Sequence, residues 1–172
     1  MHGLVDTDSS KNSVMDKLNL LHKIPWVLAI FIAIVFVQSL FFKFTNSFET
    51  QHIFGTIGEW MATIGLPDSV SGNFANYGGY AVGSVELIAA VLLLIRPTQF
   101  AGAVIAWVVI SGAIFFHLFT PLGVSVVINA AGERDGGQLF AMACGVWFSA
   151  LTIAFMRKPG YSDGNKTAAT AV

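Results

Sequence analysis

Four stretches of this chain stay apolar for about twenty residues each, the length a helix rising 1.5 Å per residue needs to cross a bilayer. They run over about 25–45, 76–95, 100–120 and 138–156. A different pattern fills the connection Asn46–Ala75, which contains no Lys or Arg. Within it Ile53, Ile57, Trp60 and Ile64 recur at helical spacing opposite Gln51, Glu59 and Thr63. That periodicity predicts an amphipathic helix ending near Gly65 and Pro67, lying on the membrane surface or folding over the spans as a lid. Arg96-Pro97-Thr98 reads as a tight turn, and Pro121–Gly137 as a second connection carrying Glu133, Arg134 and Asp135. The expected fold is all-α and integral to a membrane: a four-transmembrane-helix bundle with an extra amphipathic helix between spans one and two.

The ends are polar. Residues 1–24 are expected to form a cytoplasmic segment, disordered over Met1–Ser13, with a short interfacial helix over Val14–Ile24, where Leu18, Leu21 and Ile24 alternate with Lys17 and Lys23. Pro25 then suits the first turn of span one, and Trp26 the headgroup boundary. The apolar run starting at Pro25 is long and lacks a small-residue cleavage site, so it reads as a retained span and not as a signal peptide. Residues 159–172 are expected to be a disordered cytoplasmic tail, and 25–158 the single membrane domain.

Composition agrees with the pattern: 55% of the 172 residues are hydrophobic and 11% charged, against about 25% charged in soluble domains. The net charge of -1 offers no basic surface for nucleic acid. A lone cysteine, Cys144, excludes an intramolecular disulfide relay and reads as a small buried hydrophobe. Lys11, Lys17, Lys23, Arg96, Arg157, Lys158 and Lys166 fall on one side of the four spans, and only Arg134 lies in a loop on the other. The positive-inside rule then puts both termini in the cytoplasm of an inner (plasma) membrane, with the two long connections facing outward.

Glu86 is the residue hardest to explain by fold alone. A carboxylate inside a span is costly unless paired, protonated or hydrated, so it marks a functional site or a hydrogen bond that fixes packing. Gly79, Gly83, Glu86 and Ala90 share one helical stripe, the small-residue face by which membrane helices approach each other. Gln138, Ala141, Gly145, Ser149 and Thr152 make a similar stripe in span four, and these two faces are expected to line the interior. Glu86 should lie about 15 Å below the outer start of its span, Gln38 about 10 Å deep and Lys43 a few Å deep. His117 and Gln138 fall in the same outer half. The candidate site is therefore an outward pocket of Gln38, Lys43, Glu86, His117 and Gln138, with Glu86 and His117 as proton carriers. Each has a plainer reading: Lys43 snorkelling to headgroups, Gln38 bonding between helices, His117 as an interfacial or hydrogen-bonded histidine. No metal is expected. His52, Glu59, His117 and Asp135 could meet at the outer face without any ligand-spacing motif, and a second histidine for b-type haem is missing.

The segments FVQSLFFKF, EWMATIGLP, VELIAAVLLLIRP and ERDGGQLF, in that order, resemble the DoxX-like family of small four-span membrane proteins. The similarity spans roughly Trp26–Lys158. Gln38 and Lys43 match that family's polar and basic residues at the end of span one, Gly65-Leu66-Pro67 its helix end, and Glu86 its acidic residue in span two. A glycine often found shortly before the lysine is replaced by Leu40–Phe42, which implies a narrower pocket. The resemblance implies association with quinone-linked oxidoreduction, membrane redox complexes, oxidative-stress responses or assembly of other membrane proteins.

Two functions follow as expectations. One is a redox-associated subunit, enzymatic as part of a quinone-linked oxidoreductase, whose pocket binds a quinone or small anion; no cofactor is intrinsic to the chain. The other is a non-catalytic lipid-binding, partner-binding or assembly protein. Membrane lipids, a redox partner or a second copy of the chain are the expected partners. A transporter is disfavoured, since four spans without repeats or broken helices give little machinery for alternating access.

Overall fold

The computed structural model describes residues 5–158, with side chains from Lys23 onward. Five helices follow one another: α1 (Val5–Phe44), α2 (Phe48–Thr63), α3 (Asp68–Leu93), α4 (Gln99–Phe119) and α5 (Gln138–Arg157), with a 3-10 turn at Arg96–Thr98 before α4. Four segments are long and apolar enough to cross a membrane: Lys23–Phe44, Asp68–Leu93, Arg96–Phe119 and Gln138–Arg157. The protein is thus an all-helical membrane bundle. Helix α1 packs on α3 and α5, α3 on α4, and α4 on α5, while α2 lies mainly against α3.

Near the end that holds Lys23, Arg96 and Arg157, called here the terminal end, the helices meet through small side chains. Ala29, Ala33, Ala89, Ala90, Ala103, Ala106, Ala143 and Ala150 are buried there, with Ile32, Phe36, Leu93, Ile110, Val146 and Ile153 between them. Small residues let backbones approach closely enough for dispersion and packing to replace the hydrophobic drive that lipid cannot supply. Gly102 is the extreme case: a Cβ there would lie 2.7 Å from the Leu93 backbone nitrogen. A second cluster closes the opposite, loop end. Ile57, Leu122 and Val126 are buried in it, against Ile53, Met61, Phe74, Phe116 and Leu139.

The vertical register of α1 against α3 shapes everything above. Gly83 faces Leu40, Lys43 and Phe44, the last turn of α1, and Phe44 stacks on Tyr80 at 6.3 Å. The part of α3 before Tyr80 therefore extends past the end of α1, and α2 turns back to cover it. Glycines permit that crossing: a Cβ on Gly58 would meet Ser71 O and Ala75 Cβ at 2.8 Å, and one on Gly78 would meet the Phe54 ring at 2.6 Å. Ser47 starts α2 by accepting a hydrogen bond from the Thr50 N–H (3.3 Å), the usual work of an N-cap serine.

Three sequence expectations need correction. Pro25 does not open a helix but lies inside α1, so the separate interfacial helix over Val14–Ile24 is continuous with span one. Proline removes one donor and leaves the Leu21 carbonyl without its usual partner, which one continuous helix absorbs at the cost of a single bond. The stretch expected to be disordered over Met1–Ser13 is helical from Val5; residues 1–4, and the tail 159–172, lie outside the described residues. Residues 68–75, read as connection, form the first two turns of α3, where Asp68 sits favourably at the positive helix end.

Candidate functional site

Between the two apolar clusters lies a cavity of about 510 Å³. Helices α1 to α5 and the 120–137 loop all line it, and its walls are mostly apolar, with Phe36, Phe42, Phe54, Phe74 and Phe116 among them. All five candidate residues read from the sequence, Gln38, Lys43, Glu86, His117 and Gln138, border this one space.

Glu86 sits on the buried stripe Gly79, Gly83, Glu86, Ala90, its side chain only 6% exposed. One of its oxygens, Oε2, accepts bonds from the Ser39 hydroxyl (2.8 Å) and the Lys43 ammonium (2.5 Å). Lys43 Nζ also donates to Ser39 Oγ (3.1 Å), so three side chains close a small network. Two sequence choices make it possible. Ser39 and Lys43 are four apart on α1 and share a face, and Gly83 leaves the lysine stem room to lie against α3. Lys43 therefore turns inward instead of snorkelling to headgroups, and Glu86 is held as half of an ion pair. The other oxygen, Oε1, takes no hydrogen bond among the described residues, and Glu86 is one of the residues that line the cavity.

His117 is buried, with its ring edge-on to Phe140 (5.7 Å) and Nδ1 2.7 Å from the Gly123 carbonyl. Because a carbonyl only accepts, Nδ1 carries the proton, and the bond ties the end of α4 to the following loop. Nε2 is left for other partners. Gln38 and Gln138 are exposed and stand at the cavity rim, without hydrogen bonds of their own side chains among the described residues.

Glu49 is the group that sequence reasoning missed. It borders the cavity, half-buried, and its carboxylate takes no hydrogen bond among the described residues. Burial pushes its pKa up, the nearby Asp135 adds to that, and Lys43 partly offsets it. The signal was available: Glu49 lies one turn before Ile53 and two before Ile57, on the apolar face of α2. Asp135, by contrast, is committed. Burial pushes its carboxyl up, but hydrogen bonds from the backbone N–H groups of Leu139 (2.8 Å), Gly137 (3.0 Å) and Val126 (2.8 Å), with help from Ser125, outweigh that and hold it below the usual aspartate range. Those bonds fold the 126–135 turn onto the start of α5, beside the single bridge between Val127 and Arg134.

Elsewhere the structure departs from expectation. The stripe Gln138, Ala141, Gly145, Ser149, Thr152 does not face the interior as a whole: Gln138, Ala141 and Thr152 are exposed. Ala143, Val146, Ala150 and Ile153 fill the bundle centre, while Gly145 admits the Phe31 ring at 3.4 Å from where its Cβ would be. His52, Glu59, His117 and Asp135 do not converge; among the described residues no group of three or more His, Cys, Asp or Glu could hold a metal ion. At the terminal end, fully buried Gln99 donates to the Leu93 carbonyl (3.1 Å) and accepts from Arg157 Nε (2.7 Å). This network ties α5 to the α3–α4 turn.

Residues 21–135, about two thirds of the chain, match the family model described as methylamine utilisation protein MauE. The chain belongs to that family. The match includes Lys43, Glu49, Glu86, His117 and Asp135 and stops before α5 and Gln138. It overturns the resemblance to the DoxX-like family, a different group of small multi-span membrane proteins. The segments that suggested it amount to a basic residue at a span end, an acid in the next span and a Gly-Leu-Pro stop, features that any small bundle with a buried ion pair and a capping helix will show. No curated protein and no solved structure matches the chain.

Proposed function

We propose that this member of the MauE family is a membrane-embedded, redox-associated accessory protein of methylamine utilisation that receives a ligand or partner segment in its loop-end cavity. The observation that carries this reading is Glu86: a buried carboxylate that lines a cavity far larger than packing requires, with one oxygen spent on Lys43 and Ser39 and the other accepting no hydrogen bond among the described residues. A purely structural ion pair would be enclosed by side chains. Orientation is part of the proposal. The excess of Lys and Arg at the terminal end supports cytoplasmic termini in an inner membrane, with the cavity end outward.

The reading needs no catalysis by this chain. In the organism that carries the gene, its deletion should abolish growth on methylamine while sparing growth on ammonium. Restoration should occur with the wild-type chain and fail with Glu86→Gln present at equal level in the membrane. A deletion strain that still grows normally on methylamine contradicts the proposal.

A quinone is the second reading, favoured by one feature: an aromatic-walled cavity with an ammonium donor, Lys43, set beside two candidate proton carriers, Glu86 and His117 Nε2. The small-anion version of the earlier expectation is weaker, since three carboxylates border the cavity against one ammonium. Solvent extraction and mass spectrometry of purified protein decide the quinone reading. Near-stoichiometric quinone, lost in Lys43→Met, supports it; quinone at the level of bulk membrane lipid contradicts it.

A further inference from the structure

The charges around the cavity do not cancel. Lys43 is its one ammonium, whereas Glu49, Glu86 and Asp135 are all carboxylates. Lys43 is matched by Glu86, and Asp135 is satisfied by three backbone N–H groups, so the balance falls to two acceptors without partners: the whole Glu49 carboxylate and the Oε1 atom of Glu86. Glu86 is more than nine-tenths buried and lines the cavity, and its Oε1 accepts no hydrogen bond among the described residues, which leaves an acceptor for an occupant. Around these acceptors stand Phe42, Phe54, Phe74 and Phe116, rings whose faces attract cations at close range.

We propose that the cavity takes a primary ammonium carried on an apolar body, its N–H donors shared between Glu49 and Glu86 Oε1 and its body against the phenylalanine wall. This rests on the reading of the cavity as a binding site and names what it selects. An ammonium supplies three donors and one positive charge, matching the two unpaired acceptors and bringing the local charge closer to zero. A carboxylate of the same shape would add charge of the wrong sign. A neutral alcohol would offer one donor and no charge. The cavity volume exceeds what a one-carbon amine fills, so the body is expected to be several carbons or a ring. The same chemistry is available from a free amine or from the ethanolamine headgroup of a phospholipid.

Benzylammonium, benzyl alcohol and benzoate are alike in shape and differ in charge, and their binding to the full chain in phosphatidylcholine nanodiscs, with empty nanodiscs subtracted, tests the proposal. Benzylammonium should bind saturably and at least tenfold more tightly than the alcohol, with benzoate weakest. Glu86→Gln and Glu49→Gln should each weaken the amine about tenfold and leave the alcohol unchanged. Because Glu49 makes no structural hydrogen bond, Glu49→Gln keeps the test valid even if Glu86→Gln fails to fold. Equal binding of the three compounds, no saturable amine binding, or amine binding indifferent to Glu49→Gln overturns the proposal. Repeating the titration in discs containing phosphatidylethanolamine identifies the source: competition marks the lipid headgroup, unchanged affinity a free amine. Failure here, with methylamine growth still dependent on the gene, removes the amine and leaves the accessory role standing.

Discussion

The two halves of this bundle are packed by opposite rules. At the terminal end, alanines and Gly102 bring helices into contact so close that no further atom fits. At the loop end, long aromatic side chains from α2, α3 and α4 meet edge to face, as Trp60 does with Phe115 and Phe116 at 6.3 Å, or tilted, as Phe74 does with Phe54 at 5.5 Å, and enclose a space instead of filling it. The difference follows from where α1 ends. Below Phe44 four helices share the volume; beyond it α3 and α4 continue and only α2 and the 120–137 loop replace α1. Close packing fixes the scaffold, and the shortfall of one helix leaves room for a site at the junction, where Glu86 and Lys43 lie.

Breaking the ion pair at that junction should produce the largest effect. Lys43→Met leaves Glu86 buried and uncompensated, with an expected loss of about 3–5 kcal/mol in reversible unfolding from detergent micelles. The double replacement Lys43→Met with Glu86→Leu should recover most of it, and a double variant as unstable as the single would show that the pair is not what the lysine serves. Next comes a matched test of the two packing rules within α4. Gly102→Ala sets a methyl 2.7 Å from backbone and should cost about 1–3 kcal/mol. Gly112→Ala, nearly three turns later on the cavity side, meets nothing within 4 Å and should be neutral or stabilising by up to about 1 kcal/mol. Similar losses at both sites would erase the contrast between the halves.

Glu49 gives a smaller effect with a definite sign. Its pKa is raised in the folded protein by burial and by Asp135, with Lys43 opposing; His117 also borders the cavity. The folded state therefore holds the proton more tightly than the unfolded one, and stability present below the ordinary glutamate pKa is lost as pH rises through the raised value. Glu49→Gln does not titrate, so its melting temperature should exceed that of the ligand-free wild type at pH 7 and converge with it on acidification below about pH 4. Asp135 runs the other way: its lowered pKa contributes stability above the ordinary aspartate value that is lost as pH falls through the lowered one. A Glu49→Gln advantage that grows on acidification would contradict the assignment.

Much of this was legible in the residues. Apolar runs of span length and the 3.6-residue pattern of Ile53, Ile57 and Trp60 are local signals, and the helices follow them. Glu86 was legible because an acid in a span has few innocent explanations, and its neighbours Gly79 and Gly83 marked the face it shares. The stripe of span four misled because smallness alone does not say whether a face meets the bundle centre or one neighbouring helix. Pro25 misled because a proline at a helix start and one tolerated within a helix read alike in sequence. Ser39 went unnoticed as an ordinary polar residue whose role depends on the register of α1 against α3, and Glu49 because it stands before the first isoleucine of its own stripe. The stripe of α2 did hold the signal for Glu49, whereas the role of Ser39 depends on how two helices meet, and no single-helix pattern contains that. The family resemblance failed for the same reason: isolated charged positions at plausible depths recur in unrelated small bundles.

The central claim is that the space beside Glu86 is a binding site for a cation with an apolar body. A structure determined with 4-bromobenzylammonium, the bromine located by its anomalous signal, tests it most directly. The account predicts a bromine among the phenylalanines of the cavity, with the nitrogen in hydrogen-bond reach of Glu86 and Glu49. Bromine found only on the outer surface of the bundle, or in the cavity with the nitrogen turned away from both carboxylates, would contradict it.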